Sequence, residues 1–298
     1  MSRRKGIMLC YPFEEERLVG TGRKSWNQWP VLVQPKLDGI RCKVNLASLL
    51  MTSSEENPIY SVPHIKEAIE KARDLFLKYD ITELDGELYS RDLTFEEICS
   101  AVLRDNPVEE GKKIEYHIFD FLTEDNTISN ASRYQVLGLI DDALRYHELN
   151  EHLVIVPTFF AHNLDEIYKM LDVQIRNGNE GIIVRHPYAY YQEKRVTTML
   201  KFKPKRSDTY KVVGTKQLID KYGFYKNMLG ALILIDFEGN LFNVGTGFSE
   251  AERYRLWDIR KELTGKYCTI SYQNLTQLGV PRFAVYCKLE DSNPEGKY

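Results

Sequence analysis

The chain has 298 residues, 40 Lys and Arg against 43 Asp and Glu for a net charge of −3, and is 43% hydrophobic and 28% charged. Such a balance excludes disordered and fibrous classes, leaves length for one large domain or two smaller ones, and offers no bulk positive charge for nucleic acid, although a local basic groove stays open. No apolar run approaches the roughly 18 residues of a membrane span, and MSRRKGIMLCYPF meets EEER without the apolar stretch of a secretory signal.

In chain order, WPVLVQPKLDGIRCKVN reads as two short strands around a polar turn, interrupted by Pro35. PHIKEAIEKARDLFLKY repeats apolar residues at helix spacing, with Pro63 suited to its first turn. ITELDGELYS is a strand, and LTFEEICSAVLRD opens a helix on a Thr94…Glu97 capping box. KIEYHIFDFL is a strand, YQVLGLIDDALRYHEL a helix and HLVIVPTFF a further strand. Asn163…Glu166 caps a helix ending near Gly178, and the strands GIIVRH and TTMLKFKPK follow. From about residue 207 the texture turns β-rich. YKVVGTKQLI, GALILIDF and NLFNVGTGF are strands, the last two joined as a hairpin across Glu238-Gly239-Asn240. Ser249…Glu252 caps one helix, and YCTISYQ and RFAVYCKL complete a small Greek-key barrel of the OB type. The expected fold class is α+β, with an α+β domain over residues 1–206 and the barrel over 207–298.

The five Cys are scattered and never in CxxC spacing, and the six His form no HxH or HExxH pair, so a His/Cys-held zinc is not expected. The thiols read as reduced, which places the chain in a cytoplasmic or other intracellular, non-secreted setting. Any metal should be a hard ion held by carboxylates and substrate phosphates.

The sharpest local feature is Gln34-Pro35-Lys36-Leu37-Asp38-Gly39-Ile40-Arg41. Pro35 fixes the backbone before Lys36, and Gly39 permits a tight turn behind it. Taken alone, Lys36 is either an exposed hairpin lysine or a nucleophile activated by neighbouring positive charge. Four segments follow: Leu84-Asp85-Gly86-Glu87-Leu88, Tyr116-His117-Ile118-Phe119-Asp120-Phe121, Glu180-Gly181-Ile182-Ile183-Val184-Arg185 and Leu200-Lys201-Phe202-Lys203-Pro204. In this order they resemble the covalent nucleotidyltransferases: ATP-dependent DNA ligases, RNA ligases and mRNA-capping enzymes. The KxDGxR form with DGE, FD, EGIIVR and LKFK is most similar to the small two-domain DNA ligases of phages and some bacteria. The resemblance covers nearly the whole chain. It leaves no room for the N-terminal DNA-binding domain of larger cellular ligases, and a viral or phage origin is compatible with it.

That resemblance implies a nucleotidyltransferase (ATP-grasp-like adenylation) domain of antiparallel sheets with helices, then an OB-fold domain. It implies a monomer, not bound to a membrane, that seals 3′-OH/5′-phosphate nicks in duplex DNA with ATP and Mg²⁺ or another divalent metal. Lys36 would take AMP from ATP, aided by Lys201 and Lys203; Glu180 would serve the metal and Glu87 the AMP ribose or the metal. Phe119 would stack on adenine and Gln34 would belong to the nucleotide site, while Asp38 and Arg41 would act at the nick, Asp38 near the 3′-OH and metal and Arg41 on ribose or phosphate. Residues 194–206 contain Lys194, Arg195, Lys201, Lys203, Lys205 and Arg206 and no acidic residue. Lys205, Arg206 and the later Arg282 are therefore candidate DNA contacts, with a hinge near Lys205-Arg206-Ser207-Asp208. The alternatives are an RNA ligase or capping-type enzyme and, from another class, a non-catalytic OB-fold nucleic-acid-binding protein.

Two segments depart from the ligase pattern. Met51-Thr52-Ser53-Ser54-Glu55-Glu56 has no basic residue for the nick 5′-phosphate, and Gly279-Val280-Pro281-Arg282-Phe283 has Gly where the C-terminal motif has Arg, leaving Arg282 or Lys288 to substitute. Gly20-Thr21-Gly22-Arg23-Lys24-Ser25 lacks the spacing of a Walker A loop. Tyr188, Tyr190 and Tyr191 read either as a stacking surface for nucleic acid or as packing.

Overall fold

The computed structural model describes residues 6–23, 25–204, 206–272, 274–276, 278–282 and 284–292. Lys24, Lys205 and Phe283 lie outside the described residues. The chain forms two compact units, Met1–Phe202 and Lys203–Tyr298.

The first unit runs β1 (Leu9–Pro12), α1 (Glu15–Val19), β2 (Val31–Lys36), β3 (Ile40–Asn45), β4 (Leu50–Ser53), α2 (Pro63–Leu77), β5 (Ile81–Tyr89), α3 (Phe95–Val102), β6 (Glu115–Thr123), α4 (Asn130–Tyr146), β7 (Leu153–Ile155), β8 (Phe159–Ala161), α5 (Leu164–Arg176), β9 (Gly181–Arg185) and β10 (Arg195–Phe202). Two five-stranded sheets result, ordered β1-β10-β9-β2-β8 and β4-β3-β5-β6-β7. They are antiparallel except for the parallel pairs β1–β10 and β6–β7.

The period-two alternation of each strand decides what faces what. In the first sheet Val31, Val33, Ile182, Val184 and Leu200 pack against Leu18 of α1 and Ile167 and Leu171 of α5. In the second, Cys42, Val44, Leu84, Leu88, Tyr116 and Ile118 pack against Ile65, Ile69 and Phe76 of α2, Ile98 of α3 and Leu137 and Ile140 of α4. The opposite faces meet each other through Met8, Leu122, Tyr191, Val196 and Met199. Helices thus cover the outside of each sheet, and polar strand residues collect between them.

Most predicted elements are present. Thr94 makes its capping box with Glu97, and Asn163 caps α5, after which Gly178 takes φ +83°. Two readings need correction. WPVLVQPKLDGIRCKVN forms two strands, but they enter different sheets, so Lys36 and Arg41 stand on facing surfaces rather than on one hairpin. HLVIVPTFF is two strands, because Pro157 breaks the run and sends β7 to one sheet and β8 to the other. Pro35 is tolerated inside β2 because β8 pairs only with Val31–Val33, leaving that side of the strand without a neighbour at Pro35.

The second unit comprises β11 (Arg206–Ile219), β12 (Tyr225–Ile235), β13 (Leu241–Val244), α6 (Glu250–Asp258), β14 (Tyr267–Tyr272), β15 (Asn274–Leu275), β16 (Pro281–Arg282) and β17 (Val285–Glu290). The main sheet is ordered β13-β12-β11-β14-β17. Among the described residues a single parallel bridge, Thr246 to Val285, links its two edges, without a closed ladder. Asp236 accepts backbone hydrogen bonds from Glu238 and Asn240 in the expected hairpin, and Ser249 forms its capping box with Glu252. Tyr210, Val212, Leu232, Leu234, Val244, Leu256 and Ile270 form a core of their own.

Candidate active site

Lys36 ends β2 opposite Gly181 of β9, and the Glu180 amide donates to the Lys36 carbonyl at 2.9 Å. The same turn brings the nearly buried Glu180 carboxylate onto the Lys36 ammonium, whose side chain retains 23% of its exposure. Gln34 lies two residues back on the same face. Lys201 of β10 pairs with Ile183, which pairs with Gln34, so the three share that face.

The facing sheet contributes Arg41, directly across from Glu87 in the β3–β5 register. Gly39 closes the turn before it. A Cβ there would lie 2.3 Å from the Leu88 carbonyl, and the Gly39 N–H donates to Glu87. Burial pushes the Glu87 carboxyl up to about 7 against the opposing pull of Lys36 and Arg41. Gly86 is needed for a similar reason: its Cβ would stand 2.6 Å from both the His117 carbonyl and the Tyr116 ring.

Phe119 is the extra residue of a β-bulge, since Gly86 pairs with Ile118 and Asp85 with Asp120. Its carbonyl accepts from Gln34 Nε2 at 3.2 Å, and Thr158 Oγ1 accepts from the same nitrogen at 2.9 Å. The Arg41 and Arg185 guanidiniums approach its ring at 5.2 and 5.7 Å from the centroid. The ring expected for adenine therefore faces two cations in this structure.

Behind Phe119 sits a buried ionic network. Asp120 accepts from Arg133 Nε at 2.7 Å and Arg185 Nη1 at 2.5 Å, while Arg133 Nη2 also donates to Asn130 Oδ1 at 2.6 Å. Burial opposes ionisation of Asp120, but the two guanidiniums hold its carboxyl below the usual range. Arg185 Nε is buried with no protein partner and lines a cavity of about 10 Å³ beside Gln34, Phe119 and Thr158, room for about one water. A second pair is Arg41 with Asp85, joined by two hydrogen bonds of 2.9 and 2.5 Å. Burial works against the Arg41 charge, yet Asp85 holds its pKa above the ordinary value.

Lys36, Gln34, Glu180, Glu87, Arg41, Phe119 and Lys201 thus lie on the two facing surfaces of one unit. Asp38 is in the turn between β2 and β3. Lys203 opens the second unit, Arg206 is exposed at the start of β11 and Arg282 is on β16, so these three belong to the other body. Lys288 is ion-paired with Glu290 at 2.6 Å. Ser53 stays within its turn, its hydroxyl accepting from the Glu55 and Asn57 amides. Tyr188 and Tyr190 are exposed, whereas Tyr191 is buried, so the tyrosine cluster divides between the two readings given to it. Asp85, Asp120, Asn130, Arg133 and Arg185 received no role from sequence. The available signal was a charge inside an apolar run, as in IFDF and GIIVR, which demands a buried partner.

Among the described residues no three His, Cys, Asp or Glu side chains cluster as a metal cage, and no helix is long and apolar enough to cross a membrane. Glu87 and Glu180 nevertheless suit a hard divalent ion, which typically uses one or two carboxylates and completes its shell with substrate phosphate and water.

The family described as ATP dependent DNA ligase domain matches residues 17–203, and that described as DNA ligase OB-like domain matches residues 222–289. A DNA ligase of Haemophilus influenzae is 27% identical over 292 residues, covering 94% of this chain and 90% of the relative. A solved structure from a structure-function study of Lig E DNA ligases aligns with a TM-score of 0.72 at 22% identity, over 96% of this chain and 99% of that one. The ATP-dependent DNA ligase of bacteriophage T7 in complex with ATP gives 0.55 at 15% identity, over 95% and 98%. The two structural likenesses are likenesses of fold.

Proposed function

Because the chain belongs to the ATP-dependent DNA ligase family, whose function is to seal nicks in DNA, we propose that its two facing sheets form the adenylylation site, with Lys36 as the nucleophile. The observation that carries this reading is the convergence of Lys36 from one sheet and Glu87 and Arg41 from the other, with the Lys36 side chain keeping 23% of its exposure. Lys36 Nζ forms an N–P bond to the α-phosphorus of ATP as the α–β P–O bond breaks and pyrophosphate leaves. The reaction needs in-line geometry and neutralisation of phosphate charge more than it needs acid-base chemistry. Lys201 supplies positive charge on the Lys36 face, and Arg41 supplies it across the gap; Lys203 keeps its proposed role of binding phosphate.

Glu87 and Glu180 would hold Mg²⁺ or another divalent ion, which supplies Lewis-acid stabilisation of the phosphoryl oxygens when bound. Glu180 contacts Lys36 Nζ, and the same carboxylate would be the one to serve the ion. Gln34 Nε2 is committed to two protein acceptors, so only its Oε1, an acceptor, would be left to meet a base amine. Phe119 would stack on adenine, with Arg41 and Arg185 shifting from its ring. At the nick, Asp38 would lie near the 3′-OH and Arg41 would meet ribose or phosphate, and Arg206 and Arg282 of the OB-like unit would contact the phosphates of nicked duplex DNA. Lys205, proposed for the same contact, is outside the described residues. One chain provides the whole constellation, consistent with a monomer.

The test is labelling with α-³²P-ATP and, separately, α-³²P-GTP. ATP should leave a heat-stable protein adduct that is lost in Lys36→Ala, and the labelled protein should transfer AMP to a 5′-phosphate at a DNA nick. Labelling by GTP, or persistence of the adduct in Lys36→Ala, would overturn the assignment.

A further inference from the structure

We propose that Tyr191 is a positioning residue for nick sealing, orienting the Arg41 guanidinium through the Asp85 carboxylate. The proposal rests on the reading of Arg41 as a group that addresses the nick.

Asp85 is fully buried between the sheets. Its Oδ1 accepts from Arg41 Nε at 2.9 Å, and its Oδ2 accepts both from Arg41 Nη2 and from the Tyr191 hydroxyl at 2.5 Å. The Tyr191 oxygen in turn accepts the Met8 backbone N–H at 3.1 Å. Met8 N–H can only donate and the carboxylate can only accept, so the phenolic proton must point at Asp85. The Tyr191 side chain is itself 4% exposed, and the Arg133 guanidinium lies 5.8 Å from its ring centroid. That arginine of α4 also binds Asp120, so the ring is flanked by a fixed cation while the hydroxyl is held by Asp85 of β5 and the Met8 amide just before β1.

The register shows why such a constraint matters. Arg41 stands directly opposite Glu87, while Asp85 stands opposite Lys43. The nearest carboxylate across the strand is therefore Glu87, and the observed Arg41–Asp85 pair is diagonal. With Tyr191 donating to Oδ2, Asp85 is fixed in the rotamer that receives the planar guanidinium through two parallel bonds. Arg41 is thereby kept off Glu87, and both remain available to substrate. Loss of the hydroxyl removes one of three hydrogen bonds on the carboxylate and allows Arg41 to turn toward Glu87.

The experiment is a double-mutant cycle in the full chain. Single-turnover sealing of a nick carrying a pre-formed 5′-AMP cap is measured for wild type, Tyr191→Phe, Arg41→Lys and the double variant, with Asp85→Asn added in both backgrounds. Tyr191→Phe should slow sealing at least tenfold in wild type and less than threefold in the Arg41→Lys background, and Asp85→Asn should show the same dependence. Equal factors in the two backgrounds, which general destabilisation produces, would overturn the proposal, as would a wild-type rate for Tyr191→Phe. Failure of the wild type to form the ATP adduct or to seal the capped nick would instead strike the functional reading beneath it.

Discussion

Asp120 provides the most direct test of what holds the two sheets in register. Its carboxylate accepts from Arg133 Nε at 2.7 Å and Nη2 at 3.3 Å, from Arg185 Nη1 at 2.5 Å, and from the Phe121 amide at 2.9 Å. The side chains of Asp120, Arg133 and Arg185 are 3%, 3% and 5% exposed, so water cannot screen them. Asp120→Asn preserves volume but leaves two buried guanidiniums without a counter-charge and turns an amide N–H₂ toward donors. Breaking a buried pair in this way costs about 3–5 kcal/mol. Asp141 is the control: its pair with Arg145 on α4 is on the surface, and Asp141→Asn should cost no more than about 0.5 kcal/mol. Trp26 and Trp29 are in the first unit and Trp257 in the second, so urea unfolding followed by fluorescence in a Trp257→Phe background reports the first unit alone. The pH dependence has a definite sign. The folded pKa of Asp120 lies below its ordinary value of 3.8, so its contribution is present above that pH and is lost as pH falls through the folded value. The wild-type advantage over Asp120→Asn should therefore be intact at pH 7 and shrink in strong acid. A loss at pH 7 of less than about 1 kcal/mol, or parity with Asp141→Asn, would refute the claim that this network sustains the fold.

Glu87 should show the opposite sign. Its folded carboxyl titrates near 7 against an ordinary 4.5, so stability is greatest below 4.5 and declines as pH rises through 7. Glu87→Gln should remove that slope and gain about 3 kcal/mol on wild type between pH 4 and pH 8, read from urea midpoints; parallel curves would refute it. Gly39→Ala drives a Cβ to within 2.3 Å of the Leu88 carbonyl and 2.9 Å of Glu87 Cγ. It should cost about 1–3 kcal/mol and most of the lysyl-AMP labelling. Gly138→Ala in α4, where nothing lies within 4 Å, should be neutral or stabilising by up to about 1 kcal/mol.

Long periodic segments were legible in sequence because a single physical cause dominates each. The α2 pattern of Ile65, Ile69, Ala72 and Phe76 is one buried stripe, and the Thr94 and Ser249 capping boxes are local chemistry complete within four residues. Where the reading slipped, the deciding interaction was distant. Nothing near HLVIVPTFF says that Val31–Val33 will claim its second half while β6 claims the first. In the same way, the turn after Lys36 resembles a hairpin until the partners of β2 and β3 are known: β9 for one, β5 for the other.

The site was legible as residue types and not as a mechanism of support. Lys36, Glu87, Glu180 and Arg41 stand out because each is a charge within a strand, at a strand end or beside a glycine, and their motifs can be compared as strings. Asp85, Asp120, Arg133, Arg185 and Tyr191 act by pairing at sequence separations of 13 to 106, distances at which local pattern carries no information. Yet their burial follows from the same alternation that shapes the fold. A strand whose apolar face packs on helices must turn its other face somewhere, and here that face meets a second sheet rather than solvent. Charged residues trapped in such a layer must be neutralised by one another, so the neutralising pairs form a rigid frame around the few groups that remain open. The frame leaves Lys36 partly exposed beside Glu180, and on the function proposed above it is this residual exposure, rather than any overall charge, that would receive an anionic nucleotide.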